Sequence, residues 1–197
     1  KLPISVLLFI GGYENEIYGE KRIKWLKKSI NDLKKQSNEP LEILISINKN
    51  VYKNKIVKKL IDTNFTHSDI FISNFYRSPL LNFESLIQFA KQKYICFWTD
   101  HDLHHPNYLE ELYKVISSNK VSHVSSLISL TLEDDNEIKD SHQKILSPIN
   151  TSKMRKVKGF DTCVNSYIMA SVYGIFEKDL FKNLDLVGNE KNDFLFV

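Results

Sequence analysis

The chain is poor in the residues that staple, break or anchor a fold. Of its 197 residues only two are cysteine, Cys96 and Cys163, far apart and outside any CxxC or Cys/His spacing. That excludes a disulfide framework and a thiolate zinc site, and sets a reduced, cytoplasmic environment as the expectation. Glycine (six) and proline (five) are scarce and form no long run, so no low-complexity linker divides the chain. A single domain, 1–197, is expected. The longest apolar run, "ISVLLFI", falls far short of the ~20 residues that span a bilayer. Lys1 and that run imitate the start of a signal peptide, but "GGYENE" offers no small-x-small cleavage site. Excess charge is small too: a net +3 is far below that of a dedicated nucleic-acid binder. The lysines in "KRIKWLKK" and "KNVYKNKIVKK" read as the solvated faces of two helices.

What is present suffices for one sizeable core: 42% of residues are hydrophobic and 12% aromatic. Residues 4–10 form an apolar run closed by Gly11-Gly12, the pattern of a strand buried on both faces and a tight turn. From 21 to 36, Ile23, Leu26, Ile30 and Leu33 recur at helical spacing, and a second apolar strand spans 41–47. Ile56, Val57, Leu60 and Ile61 mark another helix, followed by a short strand, "DIFIS". A helix after "SPLLN", with Phe83, Leu86, Ile87 and Ala90 on one face, leads into a fourth strand, "YICFW". Strands alternating with helices predict a doubly wound α/β layer. Beyond residue 103 the pattern changes. A helix runs from Pro106 to about Ser117, "VSHVSSLISLTL" reads as half-exposed strand, "LEDDNEIKD" as an acidic turn, and "SYIMASVYGIFEKDLFKNL" as a strand running into a short helix. This half is expected to be mixed and antiparallel at one edge.

The segment "KYICFWTDHDLHHPNYLEEL" ends a buried strand on Asp100, His101 and Asp102. In an open α/β sheet ligands bind beyond the carboxyl ends of the strands, where these residues fall. At i and i+2 of an extended segment two carboxylates point the same way, offering hard oxygens to Mg²⁺ or Mn²⁺. Two other readings stand beside this one. Asp102 caps the following helix while Asp100 is exposed, or His101, His104 and His105 converge on zinc. The zinc reading is weakened by Pro106, which leaves His104 and His105 in the turn before the helix.

The stretch "LLNFESLIQFAKQKYICFWTDHDLHHPNYLEEL" resembles the central signature of the family 2 glycosyltransferases of GT-A fold: an Asn-Phe helix, a strand ending in a DxD-type motif, and a P-x-x-L-E-x-L helix start. "ISVLLFIGGYEN" is similar to the family's opening strand and nucleotide loop, "SINDLKKQSNEPLEILIS" to its next helix-strand pair, and "SVYGIFEKDLFKNL" to its small-residue strand and acceptor-side helix. The family's aspartate at the end of the second strand is replaced here by Asn48, and its Gly before the fourth-strand Tyr by Lys93.

The resemblance implies a Rossmann-like three-layer sandwich with a mostly parallel sheet, residues 1–102 binding a nucleotide sugar and 103–197 forming a smaller mixed acceptor side. The sequence stops at Val197 without the helix that ordinarily follows, so C-terminal truncation is expected. The implied activity is inverting, metal-assisted transfer of a sugar from a nucleoside-diphosphate sugar to a saccharide or lipid-linked acceptor hydroxyl. Asp100 and Asp102 would hold Mn²⁺ or Mg²⁺. Gly11, Gly12, Tyr13, Asn48, Arg77, Asn82, Asp100 and His101 would contact the donor, with structural roles in turns and caps as the competing reading for Gly11, Gly12, Arg77 and Asn82. Tyr173 and Gly174 would wall the acceptor, Gly174 leaving room for the sugar. Asp193, or next Glu190, would be the base. Partners would be donor and acceptor, with no nucleic acid and at most peripheral membrane association at the inner face. The alternatives are a nucleotidyltransferase, against which "GGYENE" lacks a Lys or Arg to grip a triphosphate, and a non-catalytic nucleotide-sugar-binding domain of a larger glycan-assembly protein.

Overall fold

The computed structural model describes residues 1–11, 18–66, 68–73, 79–126, 173–182 and 194–196. Four strands, β1 (Leu2–Ile10), β2 (Pro40–Asn48), β3 (Asp69–Ser73) and β4 (Tyr94–Thr99), lie parallel in the order β4-β1-β2-β3. Helices make the crossovers that parallel strands require. They are α1 (Glu20–Lys34), α2 (Lys49–Tyr52) with α3 (Lys55–Asn64), and α4 (Pro79–Phe89), while α5 (Tyr108–Ser118) leaves β4. Three short strands, β5 (His123–Ser125), β6 (Gly174–Glu177) and β7 (Phe194–Phe196), complete a seven-stranded sheet among the described residues, with a 3-10 turn at Lys178–Phe181.

Strand sequences explain the layers. Along β1, Ile4, Val6, Leu8 and Ile10 face a core shared with α1, α3 and α5, while Leu7 and Phe9 face a second core built on α4. β4 alternates in register with it: Tyr94, Cys96 and Trp98 enter the first core, Ile95 and Phe97 the second. Strands buried on both faces need continuous apolar sequence, and each fully buried Leu or Ile contributes about 1.5–3 kcal/mol. The helices bury the faces expected of them: Ile23, Leu26, Ile30 and Leu33 on α1, Leu109, Leu112 and Ile116 on α5.

Three expectations change. The sheet is antiparallel at both edges: β6 and β5 flank β4, and β7 runs against β3. Helix α4 starts inside "SPLLN", at Pro79, because proline at a first helical position sacrifices no hydrogen bond. Helix α5 starts two residues after Pro106, where a turn brings the Tyr108 amide to His105 O at 2.9 Å. Of "VSHVSSLISLTL", the strand found is β5, and everything from Leu127 through "LEDDNEIKD" lies outside the described residues. Among those described, no helix is long and apolar enough to cross a membrane.

Candidate functional site

A cluster of polar groups around Asp100 forms where β1 and β4 end side by side, Phe9 opposite Thr99. Strand β4 stops at Thr99 and the backbone bends at Asp100 and His101. The strand alternation that would aim both aspartates the same way is therefore lost, and they take separate partners.

Asp100 turns inward and is only 1% exposed. A buried carboxylate is tolerated only when its lone pairs are matched. Its Oδ2 accepts from the Gly11 amide at 3.2 Å and the Tyr18 hydroxyl at 2.8 Å. Its Oδ1 is paired with Arg22 Nη2 at 3.3 Å and His101 Nδ1 at 2.8 Å. Arg22 Nη2 also donates to Gly11 O at 2.9 Å, so the end of β1 is gripped through both its backbone groups. The bond to Asp100 raises the pKa of His101 against the opposing effect of burial, while its side chain remains 43% exposed.

Asp102 is half-buried and turns the other way. Its Oδ2 accepts from the Thr99 hydroxyl, and its amide donates to Thr99 Oγ1 at 3.2 Å. Burial first, then the charge of Asp102 and a hydrogen bond to it, push the Tyr173 phenol well above its ordinary pKa. Asp102 and Tyr173, assigned from sequence to opposite halves, thus meet in one place.

Helix α1 fastens this hinge along its length. The Ser29 hydroxyl donates to Thr99 O at 2.6 Å and accepts from Trp98 Nε1 at 2.9 Å. Asp32 accepts from the His104 amide at 3.1 Å. Buried Gln36 donates to His105 O at 2.9 Å and accepts from the Leu109 amide at 3.0 Å.

The three histidines of the hinge go to three places. His104 stacks on Trp98 at 3.7 Å between centroids, and burial pulls its pKa down to about 4. His105 is exposed, its Nδ1 accepting from the Asn107 amide at 3.3 Å. A histidine zinc site therefore does not form, and among the described residues no three His, Cys, Asp or Glu side chains are grouped to hold a metal. Mg²⁺ and Mn²⁺ ask less, taking one or two carboxylates and completing their shells with water and phosphate. Asp102 fits that requirement. Asp100 does not, because a cation there would compete with a guanidinium for an oxygen already in use.

The remaining candidates divide. Asn48 caps α2, its side-chain oxygen accepting from the Asn50 amide at 2.8 Å. Asn82 is buried one turn into α4 and accepts from the Ser46 hydroxyl at 2.6 Å, bracing the helix on β2. At Gly174 an added Cβ would lie 2.2 Å from Val124 O, so the missing side chain makes room for the backbone of strand β5. Gly12, Tyr13, Arg77, Glu190 and Asp193 lie outside the described residues.

Sequence reasoning missed Tyr18, Arg22 and Thr99. One signal was available: Arg22 is the only arginine in its lysine run, and arginine is preferred over lysine for buried carboxylate pairing.

Fold and site together define a Rossmann-like α/β domain with a cluster of polar groups at the carboxyl edge of its parallel strands, where such sheets bind ligands. The chain belongs to glycosyl transferase family 2, which its sequence matches over residues 17–183. The fold is similar to that of S. aureus TarS 1-349, with 11% identity and a TM-score of 0.51 over 91% of this chain and 48% of that one. The same TarS fragment in complex with UDP aligns at 10% identity with the same TM-score and the same coverage. The chain thus spans about half the length of that fragment. The likeness is one of fold, of the GT-A kind. No curated protein matches the chain by sequence.

Proposed function

We propose that the chain is a glycosyltransferase domain that moves a sugar, with inversion, from a nucleoside-diphosphate sugar to an acceptor hydroxyl. The observation that carries this reading is the meeting of Asp102 with Tyr173 at the end of β4, beside a His101 ring held by Asp100. Family membership and the UDP bound to the TarS neighbour support it. As the bond from anomeric carbon to phosphate oxygen breaks, its electron pair passes to the leaving diphosphate. Asp102 would hold a divalent cation, which would supply Lewis-acid stabilisation of that charge. His101 donates a hydrogen bond to the diphosphate or ribose. Asp100 works at one remove, holding His101 and the Gly11 end of β1 in place. Asn48 reads the base edge, Gly12 and Tyr13 cover the nucleotide, and Arg77 reaches a phosphate. Asp193, with Glu190 as the substitute, takes the acceptor hydroxyl proton, a contribution of about 10²- to 10⁴-fold.

The test is a thermal-shift screen of UDP-, GDP- and dTDP-linked sugars with and without Mn²⁺. A donor at about 100 times its Kd adds about 2.7 kcal/mol, visible as a raised Tm. Failure of every donor sinks the reading. Turnover of a nucleoside triphosphate with pyrophosphate release replaces it with nucleotidyl transfer.

A further inference from the structure

The two lysine runs, which read from sequence as solvated helix faces, become one surface in the fold. Helices α1 and α3 cover the same face of the sheet and pack against each other. Residues 20–35 carry seven basic and two acidic side chains, and residues 49–64 carry five and one. These two segments hold a net +9, whereas the whole chain is only +3, so everything else is net acidic. Lys21, Lys24, Lys27, Lys53, Lys55 and Lys59 are all exposed. Both helices leave from the carboxyl ends of their strands, so their first turns rim the edge that carries Asp102.

The surface is more than charged. Lys21 Nζ lies 4.9 Å over the half-buried ring of Trp25, and Lys58 Nζ lies 4.6 Å over that of Tyr52. Ile56, in the first turn of α3, is 52% exposed. Aromatic and apolar tips framed by lysines suit the headgroup level of an anionic bilayer, where long lysine stems reach the phosphates. A stripe that reads nucleic acid bases draws on arginine forks. Here the two segments hold Arg22 alone, and its guanidinium is turned to Asp100.

We propose that the α1–α3 face docks the domain on an anionic lipid surface, with the edge bearing Asp102 beside the membrane plane. The inference stands independently of the donor reading. Its test is co-sedimentation of the whole chain with vesicles of phosphatidylcholine alone or with about 30 mol% phosphatidylglycerol. Binding is expected only to the anionic vesicles, with release at about 0.5 M salt, where screening shortens to a few ångströms. The triple variant Lys24→Glu, Lys53→Glu, Lys55→Glu is expected to bind at least about 100-fold more weakly. It should keep the wild-type Tm and any donor-induced shift. The control Lys1→Glu, Lys120→Glu, Lys182→Glu changes net charge equally at exposed sites elsewhere, and should bind nearly as wild type. Equal binding to neutral vesicles, or equal losses in the two variants, overturns the proposal. So does wild-type protein that ignores anionic vesicles, including the case in which it binds single-stranded RNA. Should the triple variant misfold, Lys→Gln at the same three positions and the wild-type salt series decide the matter.

Discussion

The two carboxylates that follow β4 are separated by one residue, yet they belong to different parts of the molecule. Asp100 is tied to β1 and α1 through Gly11, Tyr18 and Arg22 and is closed to solvent. Asp102 is bonded to its own turn through Thr99, lies near Tyr173 of the antiparallel side, and is half-buried. One motif is thus split into a buried half and a half-buried one. The difference arises from the bend at Asp100 and His101, which ends the strand alternation before it can pair the two side chains.

The contrast is broken most directly by Asp100→Ala. It strands the Arg22 guanidinium, 14% exposed, without its carboxylate, and removal of one partner of a buried pair costs about 3–5 kcal/mol. Urea unfolding should show that loss, and a cost near that of Asp102→Ala would erase the distinction. Next is the pH response of His104, beside Trp98. Its folded pKa of about 4 lies below the ordinary value of 6.5, so the unfolded chain binds the extra proton first. Stability should fall as pH drops from 6.5 towards 4, by about 2–3 kcal/mol in all, and His104→Phe should flatten that slope in a pH series of melts. On the antiparallel side, Gly174→Ala drives a methyl into Val124 O and should cost about 1–3 kcal/mol. Wild-type stability in that variant would mean that β5 moves freely from β6. The smallest stability effect belongs to Asp102→Asn, about 1 kcal/mol or less. That variant should nonetheless lose any Mn²⁺-dependent donor shift while Asp100→Asn, if folded, retains part of it.

Much of this was legible in sequence because strands buried on both faces leave uninterrupted apolar runs. "DIFIS" coincides with β3, and β4 exceeds "YICFW" by a single residue. The antiparallel edge of β6 and β5 was anticipated, but the one at β7 was not, since β7 is three residues long and its pairing is set by a distant strand. The acidic motif was found, but the inward role of Asp100 was not. Its partners Gly11 and Tyr18 lie 89 and 82 residues away, and Arg22 is hidden among lysines that do face solvent. Gly174 shows the same limit: a glycine in a strand reports a close approach without saying whether a ligand or a neighbouring backbone makes it.

Helix α1 meets the hinge at Arg22, Ser29 and Asp32, contacts spread over about three turns, and Gln36 adds another just past its end. A helix riveted at that many points cannot slide or roll without dragging the hinge with it. Its outer lysines and the half-buried Asp102 are therefore coordinates of one rigid body. Whatever orients the outside of α1 also sets the angle at which the edge bearing Asp102 is presented.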